Sequence, residues 1–545
     1  MATSPSAPFP LTSAILRNVR RFKPVSPSCF RKAVRAFMDG RDRGARDFLL
    51  FLRLGSDING LSTVPEGEKP ERFAAEDSLS EAVIHLAARE GCAETVERLL
   101  CLGAFVERKD SRFWTPILLG SRFGHTEVVQ LLLRWGVKLV AEPYTWTPMM
   151  YAAKHGHASV VQVLVDAGAP VDFSLFGTTS LALAAEQGHE AVVSVLLESD
   201  ADPNSTDDVE RDTPLMNACQ SKSDSLRGGG HLSVVCRLLA AGAQVDAENR
   251  IQLTALMFAS RSGNVGAVRV LLAAGARINS SFAGGHTALK MASDRGHIEV
   301  VRALLEGGAD VNTATTDGCL VTPLMGACTH GFLPLVEILL QSHADVDAVT
   351  VDGRTALMDA ASFGREEIVK ALLRGKASVD KATVDGHTAA TIAATQGHVG
   401  TLRLLLDAGV DVNAVNHQTG FTALMSASLR GQSGSVVFLI AEGAEVNMAD
   451  KMGRTPLMLA CSSGKLEAVG ALLKANAHVD ATTRLGWTAL MFACAHGHSD
   501  IVRVLLGAKA DAQAQTMNGE TALSFATQYG HNEISSILTT RSDGA

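Results

Sequence analysis

A short motif beginning with threonine returns along this chain at a nearly constant interval, and that interval restricts the fold more than any other feature. Aligning the threonine of T-P-L-M and T-A-L-M places it at Thr115, Thr147, Thr179, Thr213, Thr254, Thr287, Thr322, Thr355, Thr388, Thr422, Thr455, Thr488 and Thr521. Nearly every interval is 32 to 35 residues, and one of 41 follows Thr213. Ala82 holds the same slot one period before Thr115, which makes fourteen units. A unit this short cannot bury an apolar face alone, so neighbours must stack and share one continuous core. Length by itself would suggest three or four globular domains. Against that, 46% of the residues are apolar but only 5% are aromatic, which suits thin repeated layers better than one thick core.

Each unit has the same physical logic. Threonine is an N-cap whose hydroxyl can satisfy an orphan backbone N–H, and Pro116, Pro148, Pro214, Pro323 and Pro456 follow it where a missing N–H does no harm. A short apolar helix then runs to a glycine present in all fourteen units, from Gly91 to Gly530. Glycine takes the left-handed conformation that lets the chain stop and reverse. A second helix carries apolar residues at helical spacing, as in Val128, Val129, Leu131 and Leu132. An extended D-V-N or D-V-D segment leads to the next turn.

These features resemble the ankyrin repeat, and the unit from Gly285 to Asn312 (GHTALKMASDRGHIEVVRALLEGGADVN) is nearly complete. The resemblance covers about residues 78–545. It implies an all-α repeat fold, a solenoid of antiparallel helix pairs with projecting β-turn fingers. At about 10 Å per helix layer the array would be roughly 140 Å long.

The sequence departs from the family pattern at two slots. The histidine of T-P-L-H survives only as His85, while Met150, Met216, Met257, Met325, Met358, Met425, Met458 and Met491 replace it elsewhere. Histidine ties neighbouring turns in the family; methionine should exchange that tie for adaptable packing. The glycine closing the second helix becomes Asp200, His343, Lys376, Asn476 and Lys509 in five units. If these are left-handed, each costs on the order of 1 kcal/mol, less for Asn and Asp. The units around residues 340–380 should therefore be softer than their neighbours.

A solenoid must cover its terminal apolar faces. The helix at Asn532–Leu538 keeps Ile534, Ile537 and Leu538 for the inside and sets Ser535, Ser536, Thr539 and Thr540 outward; only Arg541–Ala545 follow it, leaving no room for an effector domain there. Residues 31–60 resemble a degenerate, basic first cap, and 61–77 a polar linker. Lys222–Gly229 is expected to be a flexible excursion between the helices of the fifth unit. Residues 1–30 form a basic tail. Leu11, Ile15, Leu16, Val19 and Phe22 could share one helical face among cations there, which is also the composition of an organelle transit peptide.

Residues 1–53 carry a local +8, which leaves −16 on the remainder of a chain whose net charge is −8. So acidic a surface argues against binding DNA or RNA. No apolar run approaches the roughly 18 residues of a membrane span. The nine cysteines form no C-x-x-C pair, and Cys219, Cys328, Cys461 and Cys494 share one small-residue slot of the repeat, as buried thiols in a reducing compartment do. No phosphate-binding loop, H-E-x-x-H pair or nucleophile elbow is present, so neither catalysis, nor a cofactor, nor a small-molecule substrate is expected. Eight histidines (His125, His157, His189, His231, His297, His398, His498 and His531) follow the inter-helix glycine, and one structural explanation should cover them all. That explanation also absorbs the second histidine of each H-G-H triplet, at His155–His157 and His496–His498, against a metal reading. Asn312 and Asn413 resemble positions that asparaginyl hydroxylases modify in the family.

The resemblance implies other proteins as partners, held in the groove of fingers and first helices. Carried onto this sequence, the family's contact positions hold Arg112, Trp114, Arg122, Phe123, Tyr144, Trp146, Lys154, His155 and Phe176 near one end. A smaller set is Arg484, Trp487 and His496. Tryptophan and arginine are enriched at binding hot spots. The same rings could instead stack on neighbouring fingers and stiffen the array. A cytoplasmic scaffold or adaptor is the expectation; a substrate-recruiting subunit of an enzyme complex such as a ubiquitin ligase, or an assembly factor imported into a mitochondrion or plastid, are the alternatives.

Overall fold

The computed structural model describes residues 83–101, 104–110, 112–139, 145–220 and 229–542. The tail, the basic cap, the linker, Tyr144 and residues 222–228 of the excursion lie outside the described residues. The chain divides into two compact units, residues 1–250 and 251–545. The first holds five described helix pairs, from Val83–Arg89 with Ala93–Cys101 to Pro214–Cys219 with Gly229–Ala240. The second holds nine, from Ala255–Ser262 with Val265–Ala273 to Ala522–Gln528 with Asn532–Ser542. Gly229, assigned by sequence to the excursion, instead begins a helix. Each unit is an all-α solenoid whose only described strands are two-residue fingers, Ser174–Leu175 paired with Thr178–Thr179 and Ser281–Phe282 paired with His286–Thr287.

Local chemistry sets the helix ends. Twelve threonines, Thr147 through Thr521, accept a hydrogen bond from the backbone N–H three residues on, as Met491 N–H donates to Thr488 Oγ1 at 3.3 Å. Thr115 lacks that bond. Thirteen inter-helix glycines are left-handed, with φ between 64° and 85°, whereas in the fifth unit the glycine before His231 lies inside the helix Gly229–Ala240 and does not act as a left-handed stop. Val128, Val129 and Leu132 of the second helix are fully buried, each contributing about 1.5–3 kcal/mol by leaving water. Cys219, Cys328, Cys461 and Cys494 are buried as expected, and burial pushes the Cys219 and Cys494 thiols up to about 12. The last helix buries Ile534 and Leu538, half-buries Ile537 and exposes Ser536, Thr539 and Thr540. No helix among the described residues is long and apolar enough to cross a membrane.

The five replaced closing glycines are all left-handed, with φ from 61° at Asp200 and Asn476 to 65° at Lys509. Lys376, at φ 64°, bears this conformation with a long side chain. Lys376→Gly is expected to stabilise the chain by about 0.5–1 kcal/mol. Urea denaturation checks this, and a destabilised variant would show that lysine is at ease there.

The methionine slot corrects one expectation. His85 is buried, with Nε2 2.8 Å from the Arg108 carbonyl and 3.0 Å from that of Trp114. The eight methionines are equally buried, but they do more than fill space. In three units the thioether accepts the N–H of the capping threonine: Thr213 to Met216 at 3.5 Å, Thr455 to Met458 at 3.4 Å and Thr488 to Met491 at 3.4 Å. In these three units the tie between turns becomes a cap within one turn.

Candidate protein-binding site

The repeat places the residue before each threonine at the end of a finger, and the residue seven after it on the first helix beside that finger. At the N-terminal end this sets cations on tryptophans. The Arg122 guanidinium lies 5.1 Å from the centre of the Trp114 ring, and the Lys154 ammonium 4.7 Å from that of Trp146. Such contacts stabilise by about 0.5–1 kcal/mol at accessible sites. Tyr151 sits between the tryptophans, with ring centroids 4.6 Å from Trp114 and 5.2 Å from Trp146. Phe123, Phe176, Arg112 and His155 are exposed, and Arg122 reaches over the Phe123 ring as well. The finger bearing Trp114 is held by Asp110, whose carboxylate accepts the N–H groups of Arg112 (2.8 Å) and Trp114 (2.7 Å). Burial, then the charge of Arg122, then His157 and Lys154 hold the His155 pKa below its ordinary value. At neutral pH His155 therefore adds hydrogen-bonding capacity to the patch more than charge.

The second set is arranged by the same rule. Trp487 packs on Phe492 of its own unit (5.0 Å) and on Phe525 of the next (4.3 Å). Arg484 and His496 are exposed beside it, and His496 Nδ1–H donates to the Phe492 carbonyl at 2.9 Å. Tyr151, Phe492 and Phe525 were not singled out from sequence. Each lies four residues after a threonine, on the first helix, outside the family's contact positions. An aromatic at that slot, in the unit of a tryptophan-bearing finger or in the one after it, was the available signal.

A family profile for ankyrin repeats in sets of three copies matches residues 84–174, 121–207, 225–315, 313–383, 375–450, 392–483, 424–516 and 475–545. The chain belongs to the ankyrin-repeat family. No curated protein is significantly similar to it. Ankyrin repeats are in general protein–protein interaction modules.

Within this ankyrin array the eight periodic histidines have one explanation. Each Nε2–H donates to the carbonyl two residues before the inter-helix glycine of the preceding repeat, from His125 to Arg89 at 2.8 Å to His498 to Ser462 at 3.4 Å. Gln432 makes the same bond to Thr395 at 3.3 Å. His157 and His498, the second members of the H-G-H triplets, are thereby committed, and no group of three metal-ligating side chains occurs among the described residues. The D-V-N asparagines are committed as well: Asn312 Oδ1 accepts the Asp345 N–H at 2.7 Å and Asn413 Oδ1 the Glu445 N–H at 2.8 Å.

Proposed function

We propose that this ankyrin-repeat protein is a scaffold or adaptor that holds a partner protein against the aromatic and cationic patch of its first repeats. The carrying observation is that Arg122 and Lys154 lie over the Trp114 and Trp146 rings, that Tyr151 packs between those rings, and that Phe123, under Arg122, and Phe176 of the next finger are exposed. Anchors already ordered in the free protein lose little conformational freedom on binding. Arg112, Arg122 and Lys154 make the patch locally cationic on a chain of net charge −8, which favours a partner segment bearing carboxylates. No catalytic step belongs to this reading. The buried thiols suit a reducing compartment, so we place the protein in the cytoplasm.

The test is affinity capture from the native lysate with wild type, with Trp114→Ala/Trp146→Ala, and with Phe123→Ala/Phe176→Ala. The two phenylalanines are exposed and make none of the ring contacts among Trp114, Tyr151 and Trp146, so their removal is expected to spare that stack, which circular dichroism and the melting temperature check. Loss of a hot spot costs about 2 kcal/mol or more, a drop of roughly 30-fold in affinity. A protein held by wild type and lost from both variants supports the reading. Equal capture by all three removes the patch as a binding site and leaves its rings as stiffeners.

A further inference from the structure

In the second compact unit, consecutive fingers end in tips whose residues are ordered in a way that the repeat does not require. Five share one tight turn, closed by a glycine N–H donating to the carbonyl three residues earlier: Gly353 to Thr350 (2.8 Å), Gly386 to Thr383 (2.8 Å), Gly453 to Asp450 (2.9 Å), Gly486 to Thr483 (2.9 Å) and Gly519 to Thr516 (2.9 Å). Between the second and third lies a finger one residue longer, closed from Gly420 to Asn416 at 2.7 Å. Backbone bonds hold the tips in one row. Val384 N–H donates to the Asp352 carbonyl at 2.8 Å, Lys451 N–H to Thr419 at 3.1 Å and Arg484 N–H to Met452 at 3.3 Å, while Asn416 Nδ2 donates to Asp385 at 2.8 Å.

In the two fingers on each side of the long one, the tip residues are Val351-Asp352 and Val384-Asp385 before it and Lys451-Met452 and Arg484-Leu485 after it; the outer tip Met517-Asn518 is uncharged and lies outside this set of four. The apolar residue changes from first to second place, and the charge changes sign. All eight side chains are exposed, the apolar four by 56%, 63%, 60% and 62% in chain order. The Lys451 ammonium donates to the His417 carbonyl, and no ion pair among the described residues uses any of the four charges.

We infer that this row is the interface of an antiparallel homodimer whose two-fold axis passes through the finger at Asn416–Gly420. A two-fold rotation reverses the order of fingers and also exchanges the two tip positions of each turn. Val351 then meets Leu485 and Val384 meets Met452. Asp352 meets Arg484, and Asp385 meets Lys451. Every pair occurs twice, as a self-complementary interface requires. A parallel alignment would set Asp352 and Asp385 against their own copies, so the pattern also selects against the wrong arrangement. The inverted order of apolar and charged residues has no use within one chain, but it is what a two-fold contact needs. Five fingers at about 10 Å spacing span roughly 40 Å, a strip at the small end of specific interfaces, so the dimer is reversible and weakens with salt.

The experiment is sedimentation velocity on the full chain over a concentration series, with circular dichroism confirming that each variant remains folded. Wild type is expected to shift from monomer to dimer as concentration rises. Asp352→Lys/Asp385→Lys makes the row wholly cationic and Lys451→Asp/Arg484→Asp makes it wholly anionic. Each should weaken self-association at least tenfold, and an equimolar mixture should restore it as a heterodimer, because the two altered rows complement one another. Wild type that stays monomeric up to about 100 µM overturns the inference, whether or not another protein occupies the row. So do charge variants that dimerise as wild type does, or a mixture that fails to associate.

Discussion

Gly124→Ala is expected to cost about 2–4 kcal/mol, while Gly136→Ala, at almost the same backbone conformation, costs about 1 kcal/mol. The two glycines have φ 80° and 79°, so the left-handed penalty is common to both. What differs is space. A Cβ on Gly136 meets nothing within 4 Å, whereas one on Gly124 would stand 2.4 Å from His157 Nδ1 and 2.6 Å from Cε1. The imidazole cannot easily swing away, because its Nε2–H donates to the Arg122 carbonyl at 2.9 Å. Urea denaturation gives the cost, and hydrogen exchange over residues 115–166 locates it, since in a repeat array a local change spreads first to neighbours. In Gly124→Ala/His157→Ala the obstacle is gone, so the two changes should be non-additive by about 1–2 kcal/mol. Equal costs for the two single alanine variants would show that the ring yields freely and that only φ matters. The same contact recurs at Gly91, Gly156, Gly188, Gly263, Gly364, Gly464 and Gly497, each beneath the histidine of a later unit.

The second large effect comes from the one unit that puts a lysine in the methionine slot. The Lys290 ammonium lies 2.6 Å from both carboxylate oxygens of Asp294, with side-chain exposures of 6% and 30%. Gly326 in the next unit makes room for the pair, since a Cβ there would fall 2.1 Å from Asp294 Oδ1. Removing one partner of a buried pair strands the other charge. Asp294→Ala should therefore cost about 3 kcal/mol. Lys290→Met is expected to be neutral or stabilising by about 1 kcal/mol or more, because a methionine is buried at this slot in eight other units and the remaining carboxylate reaches water. The double variant Lys290→Met/Asp294→Ala should recover most of the loss. Thermal or urea unfolding of the three variants decides the matter; a mild Asp294→Ala would mean that the ammonium finds water or another acceptor.

The two predictions differ in how far they could be read from sequence. That Gly124 is left-handed follows from its place after a capped apolar helix. That Ala is worse there than at Gly136 depends on a ring arriving from the next unit. Lys290 was visible as an exception in the methionine slot, but its pairing needs the helix to bring Asp294 one turn on and Gly326 to stand clear. Similarly, Trp114, Trp146 and Trp487 were legible as finger residues, whereas Tyr151 and Phe525, which decide how those rings are held, belong to the following units.

What the sequence by itself determined therefore lies within one repeat. Threonine caps, the proline at the first helical position, the left-handed glycines and their five replacements, the buried cysteine slot and the apolar spacing of the second helix all rest on interactions a few residues long. Such interactions return wherever the motif returns, so thirteen occurrences of one threonine were enough to establish them. Tertiary structure alone decided what passes between repeats: the histidine bond to the carbonyl below, the stacking of tryptophan on the next aromatic, and the single row of fingertips in which Val351-Asp352 and Arg484-Leu485 stand as mirror-ordered pairs. These depend on side chains some 33 residues apart being brought to van der Waals distance by stacking, and no local rule encodes which two side chains will meet.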